Sequence, residues 1–189
     1  MTTAEPAIHD KVDWKRVILA CMADYLDAGG IVAASAGLAL WKTAFGLSPT
    51  VLGLLAALGV NAGAYAAGAL GGGILGDRFG RKRVYQYDLL LYILGAILVA
   101  ASGQTWMLFT GMIIMVLAIG ADVPTSWALI CEIAPDNKRG LLMGLTSVFC
   151  RLVPVVVLLL AFWLAIMVLT CIRIVFLHLA FAASITWLL

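Results

Sequence analysis

Asp24 and Asp27 stand three residues apart in an otherwise apolar run, and Asp122 and Arg151 interrupt two more such runs. Residues three apart on a helix share one face, so the two carboxylates can act together. Two acids held close and away from water resist being ionised at the same time. Such a pair can take up and release a proton near neutral pH, the chemistry of proton coupling. Asp122 and Arg151 admit two readings. Either they line a polar cavity in which a carboxylate exchanges its proton as a solute binds, or they pair as a structural bridge between neighbouring helices. Thr125 and Ser126 follow Asp122 at offsets of three and four, on its face. Trp127 suits a stacking platform for a solute or a packed aromatic. Asn61, Tyr65 and Ser147 complete the candidate cavity set.

The elements that must position these groups belong in a membrane. Of 189 residues, 64% are hydrophobic and 12% charged, against roughly 45–50% and about 25% in soluble domains. A helix needs about 20 residues to cross about 30 Å of hydrocarbon. The pattern predicts a six-helix, all-α integral membrane bundle after an N-terminal segment 1–16, with spans at 17–40, 49–76, 84–101, 106–134, 141–164 and 171–189. Asp24 and Asp27 distinguish the first span from a cleavable signal peptide. Ser48-Pro49 supplies a cap and first-turn proline for the second. A single helix from Leu141 to Leu189 would be about 73 Å long, so this stretch must fold back, with the bend between Ala165 and Thr170. Counted from the span ends, Asp27, Asp122 and Arg151 lie about 16–18 Å deep. Charges at that depth are expensive and mark function.

Nine of the twelve Lys and Arg residues, namely Lys11, Lys15, Arg16, Arg78, Arg81, Lys82, Arg83, Lys138 and Arg139, fall on one side of this arrangement. Positive charge accumulates on the cytoplasmic side, so both termini are expected there, in a cell inner (plasma) membrane. Trp14, Tyr85 and Tyr87 would mark the inner interface, Trp41 and Trp106 the outer. The topology accounts for the cations without nucleic acid. Cys21, Cys131, Cys150 and Cys171 show no C-x-x-C spacing, and His9 and His178 stand alone, so neither metal nor cofactor is expected. The run Gly71-x-Gly73-x-x-Gly76 imitates a dinucleotide fingerprint but ends an apolar helix instead of following a strand. Its small residues, Gly59, Gly63, Ala67 and Gly71 beside Ala64, Gly68, Gly72 and Gly76, suit close helix packing in lipid.

The basic break reads Gly73-x-x-x-Asp77-Arg78-x-Gly80-Arg81-Lys82, and a second reads Glu132-x-x-Pro135 followed by Arg139-Gly140. An Asp77–Arg81 contact between facing helix ends would act as a latch worth about 1.5–3 kcal/mol, and Asp88 could join either cluster from the membrane edge. The first spacing is similar to the loop between helices 2 and 3 of major facilitator superfamily transporters. The second resembles the signature of their sugar porter and metabolite:proton symporter branch. With Tyr25-Leu26-Asp27-Ala28-Gly29-Gly30 and Tyr85-Gln86-Tyr87-Asp88, the chain looks most like bacterial inositol or polyol transporters.

That resemblance implies one half of a twelve-span fold built from 3+3 inverted repeats, with solute held between halves that expose it alternately to each side. It implies proton-coupled transport of a sugar, a polyol such as inositol, or an organic acid, and no enzymatic activity. The partners would be the lipid bilayer, the small polar substrate, the proton, and a missing C-terminal half or a second copy. Two other classes are a non-transporting scaffold, sensor or inactive truncated transporter, and an intramembrane aspartyl protease. The protease would need glycine where Ala121 stands, and an Asp88 deeper than the membrane edge.

The topology has a direct check. In a background with the native cysteines replaced by alanine, an impermeant external thiol reagent should label Lys42→Cys and Gln104→Cys but not Gly80→Cys. External labelling at position 80 would overturn the orientation.

Overall fold

A computed structural model describes residues 14–57, 63–135, 137–163 and 168–188. Asn61, and residues 165–167 of the bend expected between Ala165 and Thr170, lie outside these residues, and α7 already begins at Val168. The elements, in order, are α1 (Trp14–Phe45), α2 (Pro49–Ala56), α3 (Gly63–Phe79), α4 (Arg81–Ala100), α5 (Thr105–Ile133), α6 (Arg139–Trp163) and α7 (Val168–Leu188). No strand occurs among the described residues. Five of these helices, α1, α4, α5, α6 and α7, contain stretches long and apolar enough to cross a membrane. The stretch read as the second span, 49–76, is represented by α2 and α3, on either side of residues 58–62.

Local chemistry explains the breaks. Ser48 is extended at the head of α2, and its hydroxyl accepts the Val51 amide at 3.3 Å with Pro49 in the first turn. Gly80 has φ of +87° between α3 and α4, a conformation that costs little only without a Cβ. The α4–α5 turn closes on Ser102, whose hydroxyl donates to the Val99 carbonyl at 2.8 Å.

Packing follows a pattern that exchanging the first three spans for the last three leaves unchanged. The α1–α6 contact has its counterpart in α5–α3, and α1–α7 in α5–α4, while α1–α5 and α4–α7 map onto themselves. This is what an internal 3+3 repeat requires. Two phenols tie α1 to α4: Tyr85 donates to the Leu19 carbonyl at 2.9 Å and Tyr92 to the Leu26 carbonyl at 2.8 Å. The donors and the acceptors are each seven residues apart, so the two helices run side by side in the same direction. At one end of the bundle, Val17, Ala20 and Cys21 pack with Ile130, Ala134 and Leu142, which brings the start of α1, the end of α5 and the start of α6 together. The basic breaks therefore share one end. At the other, Arg173 of α7 donates to the Ser102 carbonyl at 3.0 Å.

Two aromatics expected at interfaces are instead in the core. Trp41 is buried and stacks on Phe176 with ring centroids 6.0 Å apart, and α1 continues past it to Phe45. Tyr85 is buried by its bond to α1, whereas Trp14, Tyr87 and Trp106 are exposed.

Of the two small-residue rows on α3, only the one containing Gly72 is pressed against a neighbour. A Cβ there would lie 2.6 Å from the Ala121 Cα of α5, while one at Gly71 would meet nothing within 4 Å. Forcing atoms into a packed site costs about 1–3 kcal/mol. Gly72→Leu should therefore lower the thermal unfolding temperature of the purified chain by several degrees, and Gly71→Leu should leave it nearly unchanged. Equal shifts would refute the close α3–α5 approach.

Candidate functional site

A cavity of about 540 Å³ opens between α1, α5 and α6. Its polar wall consists of Asp24, Trp127, Ser147 and Arg151, with Ala28, Cys150 and Pro154 between them. Trp127 is half exposed and not packed in the core, and its indole Nε1 donates to Asp24 Oδ1 at 3.3 Å. Ser147 donates to its own helix at the Met143 carbonyl, 3.2 Å away. An indole face, a carboxylate, a hydroxyl and a guanidinium are thus displayed together on apolar helices, nearer their basic end.

The second carboxylate of α1, Asp27, is buried behind this wall and does not line it. It lies within electrostatic reach of Asp24, Asp88 and Asp122. Four carboxylates from α1, α4 and α5 therefore gather inside the bundle, each less than one-tenth exposed. Asp88 is buried inside the bundle and joins neither ion pair of the basic end. The interval from Tyr85 through Asp88 to Tyr92, three residues and then four, places it on the α4 face that meets α1, and this was the sequence signal for its burial.

The Asp122–Arg151 bridge is absent among the described ion pairs. Asp122 is buried, whereas Arg151 is exposed at the cavity on α6, a helix that barely touches α5. Thr125 and Ser126 are also buried, and they spend their hydroxyls on their own helix. Thr125 donates toward the Ala121 and Asp122 carbonyls at 3.0 and 2.8 Å, and Ser126 to that of Val123 at 3.4 Å. Tyr65 of α3 is part-buried, its backbone against Gly120, within electrostatic reach of Asp27 and Asp122. His178, which looked isolated, lies with Nε2 3.1 Å from the Tyr25 hydroxyl.

At the basic end, Arg81 joins three helices. Its Nη2 is 3.5 Å from Asp77 Oδ1 at the end of α3, and its Nε is 3.0 Å from Glu132 Oε1 at the end of α5. The shorter contact is the one to Glu132, so the link the sequence suggested between Asp77 and Arg81 is the weaker arm of a three-residue cluster. Both carboxylates are more than half exposed, and exposed pairs contribute about 0–1 kcal/mol, less than the latch estimate. Arg78 and Lys82 are exposed beside it, and Arg139 and Gly140 open α6 at the same end. Gly73 and Gly140 have nothing within 4 Å of where a Cβ would stand.

This arrangement of two packed helix triplets, with a polar cavity and buried carboxylates inside an apolar bundle, is that of a membrane-spanning protein. Residues 17–189 match the model of the Major Facilitator Superfamily, and the chain belongs to that family. It is 46% identical over 175 residues to the minor myo-inositol transporter IolF of Bacillus subtilis (strain 168), covering 93% of this chain and 40% of that protein. It is 33% identical over 87 residues to the proton myo-inositol cotransporter of Homo sapiens, covering 46% of this chain and 13% of that one. The fold matches the proton:xylose symporter XylE of E. coli with a TM-score of 0.81 at 19% identity, over 93% of this chain and 43% of that one. The chain thus spans less than half the length of these relatives. Family membership sets the protease reading aside.

The unequal arms of the Arg81 cluster give a test. Glu132→Gln should widen the spin-label distance distribution between the ends of α4 and α5 more than Asp77→Asn does. A larger effect from Asp77→Asn would restore the simple two-residue latch.

Proposed function

We propose that this chain forms the solute-binding half of a proton-coupled transporter for a small polar solute, a sugar, a polyol such as inositol, or an organic acid. The observation that carries this reading is the cavity in which Trp127, Asp24, Ser147 and Arg151 face one space. Trp127 offers a flat apolar face to a sugar ring, and the other three hold its hydroxyls. The inositol transporters among the relatives support the solute class, and their greater length supports a second six-span half closing the open side, from further sequence or a second copy.

Asp27 is the proton carrier in this proposal. It is buried one turn beyond Asp24, so a proton from the cavity reaches it past Asp24, and the charge of one carboxyl bears on the other. Solute binding at the wall and protonation behind it are thereby linked. Asp77, Arg78, Gly80, Arg81, Lys82, Glu132 and Arg139 hold the basic end shut when the cavity faces outward, with Gly73 and Gly140 leaving room for a facing half. Both termini lie in the cytoplasm, on the nine-of-twelve distribution of cations.

Proteoliposomes holding this chain completed by its second half should take up labelled myo-inositol or xylose faster when the outside is made acidic. Failure to move any sugar, polyol or organic acid would overturn the proposal. Asp27→Asn should abolish accumulation driven by the proton gradient while sparing solute exchange, which needs no net proton release, and Asp24→Asn should do less. Undiminished accumulation by the Asp27 variant would remove it from the coupling role.

A further inference from the structure

The coupling scheme above uses Asp24 and Asp27 and leaves two acids unexplained. Asp88 and Asp122 are only 5% and 4% exposed, and the Oδ1 atom of each lacks a hydrogen-bond partner in the protein. Native proteins rarely leave buried polar atoms in that condition. Asp88 sits between Tyr85 and Tyr92 on the α4 face that hydrogen-bonds to α1. Asp122 approaches from α5, and the two carboxylates lie within electrostatic reach of each other and of Asp27.

Among the described residues no ion pair joins a cation to either of them. From α1 come Asp24, Asp27 and Tyr25, and from α3 comes Tyr65, all acids or phenols. On α4 itself the Tyr85 and Tyr92 hydroxyls donate to α1 carbonyls. The imidazole of His178 on α7 is engaged with Tyr25, and Arg173 is bonded to the Ser102 carbonyl at the far end. Arg151 faces the cavity from α6, and Arg81 is held between Asp77 and Glu132. Among the described residues, no three acidic, histidine or cysteine side chains are grouped so as to hold a metal ion. Two acceptor oxygens therefore lie buried with neither a hydrogen-bond partner nor an ion pair among the described residues.

We propose that Asp88 and Asp122 form a second proton-binding site, distinct from the Asp24–Asp27 pair. One proton forms an O–H bond on either carboxyl, taking the pair from two negative charges to one, and turns one of two facing acceptors into a donor. An isolated charge in this interior is far more costly than a neutral acid, so the site holds its proton whether or not Asp27 is loaded. Its use in coupling rests on the transport reading, but its existence does not.

Infrared spectroscopy of the full chain in lipid nanodiscs at neutral pH separates the two. In Asp27→Asn protein, the carbonyl-stretch band of a protonated carboxyl should persist. Changing both Asp88 and Asp122 to Asn in that background should abolish it, because no carboxyl of the site then remains to carry the proton. Absence of the band in Asp27→Asn protein, or its survival when positions 88 and 122 are both changed, would overturn the proposal, the latter by assigning the proton to Asp24. Should the protein changed at 27, 88 and 122 fail to fold, Asp88→Asn or Asp122→Asn added to Asp27→Asn must shift the frequency of the band, because the protonated acid loses its carboxylate neighbour; an unmoved band would place the proton outside the pair. Failure of the unsubstituted protein to transport, with the band intact in Asp27→Asn protein, would count against the transport reading only.

Discussion

Nothing pushes apolar helices together in lipid, so association has to come from backbones that touch and polar groups that bond across the gap. Here the touching surface is the α3–α5 seam at Gly72 and Ala121. It fixes α5, and the seam between α4 and α5 fixes α4 in turn. Once these three helices are set, Asp88 and Asp122 have no way out of the interior, and the Tyr85 and Tyr92 bonds to α1 bring Asp27 to meet them. The acidic core is thus a product of helix packing, and the cavity at Asp24 is its opening.

The basic end and the core are held by different physics. Arg81, Asp77 and Glu132 are wet enough for water and salt to weaken them, and they can part and re-form cheaply. The core contacts are dry and close-packed, so rearranging them costs more. A bundle that opens at one end while remaining rigid in the middle would be built this way.

The family and much of the element order were legible in the sequence because they rest on local signals: apolar stretches of membrane length, Ser48-Pro49, and the run from Gly73 to Lys82. What was not legible depends on helix rotation. Trp41 lies beside Lys42 at a helix end and looks interfacial, yet Phe176, distant in sequence, decides that it is buried. Asp122 and Arg151 share a depth but not a direction, and depth alone suggested a bridge. Asp88 lies only seven residues beyond Arg81, which drew it toward the basic break, although its three-and-four spacing from two tyrosines already gave its face. Trp127 could be assigned to neither core nor cavity until α6 was placed beside it.

Viewed from the space it encloses, the cavity wall is mostly a set of lone pairs. Ser147 has committed its proton to Met143, and the indole of Trp127 has committed its own to Asp24. What these groups leave for a guest is the carboxylate of Asp24 and the hydroxyl oxygen of Ser147, both able to accept, with Arg151 as the main source of hydrogens. A molecule rich in hydroxyl hydrogens satisfies such a surface without disturbing it. One offering only carbonyl or ether oxygens would have to compete for the single guanidinium.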